Sequence, residues 1–137
     1  DFEVLPNDVY SVYITPNAVI DIFQKTTDSL NFTFKTKKIS EYGKIFFNPI
    51  QKNYPLIIDL INTKDEVVDS QYLASSSDNC VFENILPGEY TIRVIEDKNE
   101  NKKRDTGNFL GKIQPEKTYF NGEIIKVRAN WILRESF

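Results

Sequence analysis

The chain has 137 residues, 40% of them apolar, with ten Phe, seven Tyr and a net charge of −3. That suffices for one ordinary domain, or a domain plus a fragment of another, with a core that needs neither metal nor disulfide. With no His and a single Cys, Cys80, Ser-His-Asp, Cys-His and His-based metal hydrolysis are excluded, as is an internal disulfide.

Lys and Arg are interspersed with the acids, which is not the basic face of a nucleic-acid binder. No apolar run reaches the ~18–20 residues that span a bilayer. Asp1 is not a translation start, so the N-terminus is expected to have been processed or cut, and a lost leader is compatible with it.

Alternation of period two dominates the chain. In "YSVYI" Tyr10, Val12 and Ile14 share a face, and "PNAVIDIF" follows as the only helical candidate, a single turn opened by Pro16. In "LNFTFKT" Leu30, Phe32 and Phe34 oppose Asn31, Thr33 and Lys35. "KIFFN" aligns Ile45 with Phe47, and "PLIIDLI" aligns Leu56, Ile58 and Leu60, its Ile57 and Ile61 predicting a strand covered on both sides. "GEYTIRVIE" aligns Tyr90, Ile92 and Val94, and "GEIIKVRANW" aligns Ile125, Val127, Ala129 and Trp131. Short β-branched and aromatic runs between Asn, Asp, Gly and Pro predict an all-β protein of antiparallel strands.

The polar run "KTKKIS" separates two blocks. Before it lie two strands, too few to close a sandwich; after it lie roughly seven strand signals, the usual count for a complete one. The expected organisation is an incomplete domain over residues 1–37 and a β-sandwich over 38–137.

The block "YSVYITPNAVIDIFQKTTDSLNFTFKT" resembles the C-terminal strands of bacterial Ig-like domains of the SbsA type, with their "P-x-A-x-x-D" turn and "F-x-F-x-T" strand. The later pieces "LPGEY", "RVIEDKNEN", "DTG", "QPE" and "RANW" resemble, in order, the prealbumin-like sandwich of Bacteroidetes cell-surface proteins, related to carboxypeptidase-regulatory and Cna protein B-type folds. This resemblance implies an exported, envelope-associated protein of the bacterial cell surface, outer membrane or periplasm, lipid-anchored through a missing N-terminal region and without catalytic activity. The partners it implies are other envelope proteins or other domains of the same chain. A glycan- or host-ligand-binding adhesin module is the alternative, favoured if exposed aromatics cluster with polar side chains on one face.

Within the turns, Pro87 is expected to fix φ and Gly88 to supply φ > 0, with Phe82 and Leu86 plugging one end of the sandwich and Trp131 closing the other side of the core. The stretch "EDKNENKKRDTGN" carries oxygen side chains at alternate positions. Asp97, Asn99, Asn101 and Asp105, with the Lys103 carbonyl, have the spacing of a calcium loop. Lys102 stands where such a loop wants Gly, and Asn108 where it wants a bidentate Glu. Two carboxylates face Lys98, Lys102, Lys103 and Arg104. The reading is a hairpin connection of cation-loop design whose calcium site is weak or empty, structural in either case.

Three other constellations read as structural. Glu116, after Pro115, reads as an exposed charge, the alternative being a salt bridge or ligand contact beside the loop. Arg93 and Arg128, with Asp59 and Glu96 as partners, read as a solvated charge ladder. An isopeptide between Lys44 and Asn130 fails the alternation test, since both residues lie opposite core-facing neighbours.

Overall fold

The computed structural model describes residues 4–50 and 52–137. The chain forms two compact units, the first ending at Ile39 and the second covering Ser40–Phe137. The described residues hold ten strands and no α-helix, only a 3₁₀ turn at Ile39–Glu41. The protein is all-β.

In the first unit, β1 (Val9–Ile14) pairs antiparallel with β2 (Leu30–Lys35). The register sets Tyr10 opposite Phe34, Val12 opposite Phe32 and Ile14 opposite Leu30 on one face. Tyr10 and Phe34 stack with centroids 5.5 Å apart, and on the other face the Ser11 and Thr33 hydroxyls lie 3.1 Å apart. Between the strands, "PNAVIDIF" does not form a helical turn. Asn17 adopts φ 65°, which breaks right-handed helix, and Ile20 bridges Thr26 in a small hairpin. Asp21 holds that hairpin by accepting from the N–H groups of Phe23 and Lys25 at 2.8 and 2.9 Å, a local competition that Asp side chains often win over helix.

The second unit is a β-sandwich. One sheet runs β10 (Ile132–Ser136), β3 (Gly43–Asn48), β6 (Cys80–Ile85). The other runs β5 (Val67–Leu73), β4 (Leu56–Asn62), β7 (Gly88–Glu96), β8 (Thr118–Phe120), and β9 (Ile125–Val127) also pairs with β7. Inward residues of both sheets form one core, including Ile45, Phe47, Leu56, Ile58, Leu60, Phe82, Tyr90, Ile92, Val94, Ile125 and Val127. Each fully buried Leu, Ile or Phe contributes about 1.5–3 kcal/mol by leaving water. Strand β4 is covered on both faces, as its Ile57 and Ile61 predict: both are buried as well.

The C-terminal segment departs from expectation. Its last run does not continue to Trp131 but stops at Val127. The chain then turns through Ala129 and Asn130, which takes φ 60°, and re-enters the other sheet as β10, parallel to β3. Trp131 therefore does not close the core. It sits half-exposed at the turn, under the Arg128 guanidinium at 4.8 Å. The turn packs against Gly43, where a Cβ would collide with Val127 and lie 3.0 Å from the Arg128 carbonyl.

The "LPGEY" corner is also built differently. It carries the chain from one sheet to the other, with Phe82 in the core but Leu86 exposed. Among the described glycines only Gly107 has positive φ, so Gly88 serves another purpose: a Cβ there would press on the Tyr90 ring at 3.3 Å. Tyr90 donates its hydroxyl to the Leu86 carbonyl at 2.8 Å and so fixes the corner.

Candidate functional site

The longest strand, β7, ends in the buried acid Glu96, and a second, Asp97, follows it directly; they are 2% and 0% exposed. Burying a carboxylate without partners is costly, so the neighbourhood must supply donors. For Glu96 they come from the Asn53 amide at 3.0 Å, the Asn53 N–H at 3.3 Å and the Tyr119 hydroxyl at 3.0 Å. Burial raises the Glu96 carboxyl, but these bonds and nearby Lys117 outweigh it and leave the group below its ordinary value. The same contact raises the Tyr119 phenol, chiefly through its bond to Glu96.

Asp97 serves the loop that follows. Its Oδ1 accepts from the N–H of Asn101 at 3.2 Å, and its Oδ2 from that of Lys102 at 2.8 Å. Asn99 Oδ1 accepts from the Asn101 N–H at 3.2 Å, and Asn101 Oδ1 from the Lys103 N–H at 2.8 Å. With both side-chain oxygens so engaged, the Asn99 and Asn101 amide nitrogens turn to Asp105 Oδ2 at 2.5 and 3.0 Å. The fold thus brings Asp97, Asn99, Asn101 and Asp105 together, while Lys103 enters the network through its N–H.

Those residues have the oxygen chemistry that a hard cation such as calcium accepts. Asp97 Oδ1 and Oδ2, Asn99 Oδ1, Asn101 Oδ1 and Asp105 Oδ2 each already accept an amide N–H, and the Asn99 and Asn101 amide nitrogens point at Asp105 Oδ2. Among the described residues no three His, Cys, Asp or Glu form a metal set, so any ion would depend on the neutral amides. Lys102 adopts φ 60° without being Gly, as does Glu100. The backbone therefore makes its left-handed turn at a cost of about 1 kcal/mol.

Glu116 is not the free charge its position after Pro115 suggests. Its Oε1 accepts from the Lys98 N–H at 3.0 Å and its Oε2 from the Asp105 N–H at 3.1 Å. Its own N–H donates to the Asp105 carbonyl at 3.1 Å. One carboxylate thereby ties both ends of the 98–105 loop to the returning strand. Sequence reasoning ranked a contact beside the loop below an exposed charge, because no local spacing links residue 116 to residues 98 and 105. The charge ladder fares similarly. Asp59 is 5% exposed and accepts two bonds from Arg93, at 3.0 and 2.7 Å, and one from the Ser70 hydroxyl at 2.7 Å. It is a buried pair rather than a solvated one, Arg128 stacks on Trp131 instead, and Glu96 takes no cation as a hydrogen-bonded partner.

A cleft of about 200 Å³ between Asn53, Tyr54, Pro55, Lys98 and Lys117 has Glu96 and Asp97 among its lining residues. Cys80 lies in the core, and burial, with Asp69 adding to it, pushes its thiol up to about 12. A thiol so held is protonated at neutral pH and a poor nucleophile. Lys44 is occupied by Glu83, and Asn130 is in an exposed turn, its N–H donating to the Tyr42 carbonyl at 2.9 Å.

A two-sheet sandwich whose buried acids order one long loop defines a β-sandwich module with a hydrogen-bonded loop clamp. The family described as "Uncharacterized protein conserved in bacteria (DUF2141)" matches residues 40–116, more than half of the chain, and the protein belongs to that family. The match runs from the start of the second unit through Glu116 and so includes the whole clamp. No curated protein and no solved structure matches the chain.

Proposed function

We propose that the protein is a non-catalytic structural or protein-interaction module of the bacterial cell envelope. The observation that supports this reading best is the use made of its buried carboxylates. Asp59, Glu96 and Asp97 each accept bonds from partners that hold strands or loops in place, Glu96 through Oε1 alone. The loop of Asp97, Asn99, Asn101, Lys103 and Asp105 is on this reading a structural clamp, to which calcium adds little.

The placement in the envelope, the prealbumin-like and Cna protein B-type relationship and the Bacteroidetes affinity rest on the sequence motifs. In the same reading β1 and β2 belong to an Ig-like sandwich. Val12, Leu30, Phe32 and Phe34 remain exposed on the ribbon, and a lone pair of strands is marginal in water. Further strands, from this chain or from another, would cover that face.

The test is to tag the full chain in its own bacterium, fractionate the cells, and cross-link and capture from the envelope. Recovery with the envelope, together with a reproducible set of envelope proteins, is the expected result. Recovery in the cytosol would overturn the reading, and so would turnover in a hydrolase panel that survives removal of contaminants.

A further inference from the structure

Beyond the clamp, the connection from β7 to β8 makes a second excursion. Asn108 and Ile113 exchange both backbone bonds at 2.9 Å, and Asn108 Oδ1 accepts from the Gly111 N–H at 3.0 Å. Gly107 anchors the base: it takes φ 82°, and a Cβ there would lie 2.7 Å from Pro115 and 2.8 Å from the Ile113 carbonyl. This ordered tip displays Phe109 and Leu110 at 95% and 93% exposure, with Ile113 beside them at 63%. A hairpin so defined does not leave two large apolar side chains in water by default, because turning either onto its own surface would be favourable.

The charge around the tip indicates what it meets. Residues 97–117 hold six of the chain's 17 basic residues but only four of its 20 acids, and of those four Asp97 is buried. Lys112 lies in the hairpin itself, and Lys98, Lys102, Lys103 and Arg104 precede it, all exposed. The other exposed apolar tip, Ile22 and Phe23, lies in "VIDIFQK", where Asp21 and Lys25 cancel. An apolar tip flanked along the chain by an excess of positive charge suits an anionic lipid surface, in which headgroup charge overlies hydrocarbon. A protein socket would have to combine an apolar floor with an acidic rim, and two adjacent, almost fully exposed side chains need no such shaped cavity.

We propose that the Asn108–Ile113 hairpin is a membrane-surface contact. Phe109 and Leu110 enter the interfacial layer of an anionic bilayer, and Lys112, with Lys98, Lys103 and Arg104 of the preceding loop, meets its headgroups, whereas Lys102 lies over the Tyr72 ring at 5.1 Å. Two inserted side chains give weak, reversible association that reinforces another attachment rather than replacing it.

The experiment uses the full chain and sucrose-loaded vesicles of mixed phosphatidylglycerol and phosphatidylcholine, with pure phosphatidylcholine vesicles as the neutral control. The protein is expected to sediment with the anionic vesicles, less so in high salt. The double variant F109S/L110S is expected to lose roughly 100-fold in partition while keeping the wild-type melting temperature, since both side chains are exposed. Lys112→Glu weakens binding at low salt only. In Phe109→Trp, the added fluorescence is expected to be quenched by bromine on the lipid acyl chains. Failure of the wild type to bind either vesicle overturns the proposal, as does equal binding by the double variant. So does capture of a protein from the envelope that depends on Phe109 and Leu110 when vesicles bind nothing.

Discussion

Replacing Asp97 with Ala removes the acceptor of two backbone bonds at a position with no exposure. Bonds to an ionised group contribute about 1.5–3 kcal/mol each, and a stranded donor adds its desolvation cost. The donors belong to Asn101 and Lys102, which are exposed, so water regains part of both bonds. A net loss of about 2–3 kcal/mol is expected. For a domain of about 100 residues each kcal/mol moves the melting temperature by roughly 4–8 °C, giving a fall of roughly 10–20 °C. The assay is thermal unfolding of wild type and variant followed by circular dichroism, each with millimolar calcium and with chelator. Calcium is expected to leave the wild type almost unchanged, because Asp97 and Asp105 face Lys98, Lys102, Lys103 and Arg104 in the loop. A fall smaller than about 3 °C would refute the role of Asp97 as clamp. A calcium-dependent rise of several degrees in the wild type that disappears in Asp97→Ala would show that the loop is held by metal instead.

The Glu96 carboxyl lies below its ordinary value of 4.5 in the folded protein. Its contribution is therefore complete above that value and disappears as pH falls through the lower, folded one. Glu96→Gln should be less stable at neutral pH and lose less stability on acidification than wild type; parallel acid unfolding curves would contradict this. Cys80 should react with a thiol reagent only as the protein unfolds, since the side chain is buried and its thiol is pushed up to about 12; rapid modification of the native protein would count against the packing described. A chain beginning at Ile39 should unfold in one cooperative transition, and a molten or aggregated product would show that the sandwich depends on the preceding residues.

Much of the core was legible because burial and alternation are one signal in a strand covered on one side. Ile45 with Phe47, Leu56 with Ile58 and Leu60, and Tyr90 with Ile92 and Val94 all face inward. Where a strand lies at an edge the signal fades. In β5 Val67 and Val68 are both exposed, and "VVDSQYL" shows no clean alternation. The C-terminus misled for the opposite reason: alternation continues in the letters past Val127 although the backbone turns. The residue that permits the turn is Asn130, one of the few types that accept a left-handed φ. At the loop, regular spacing made Asp97, Asn99, Asn101 and Asp105 visible, because a local turn motif is written in adjacent residues. Glu116 and the Glu96–Asn53–Tyr119 cluster were not visible, since those partners meet only once β7, β8 and the segment before β4 are assembled. Lys102 shows a further limit, for sequence preference alone assigns that conformation to Gly.

The loop clamp also explains why so long a connection can be ordered. Closing a loop costs conformational entropy that rises slowly with its length, but ordering every residue within it costs far more. Asp97 and Glu116 divide the excursion at Asp105, so that neither part is left to order itself unaided. The first part is closed by side chains onto backbone N–H groups, the second by the Asn108–Ile113 exchange. Acids suit this task because backbone donors outnumber free acceptors where the chain turns through Glu100 and Lys102 with positive φ. The second part, closed by that exchange, displays Phe109 and Leu110 to the solvent.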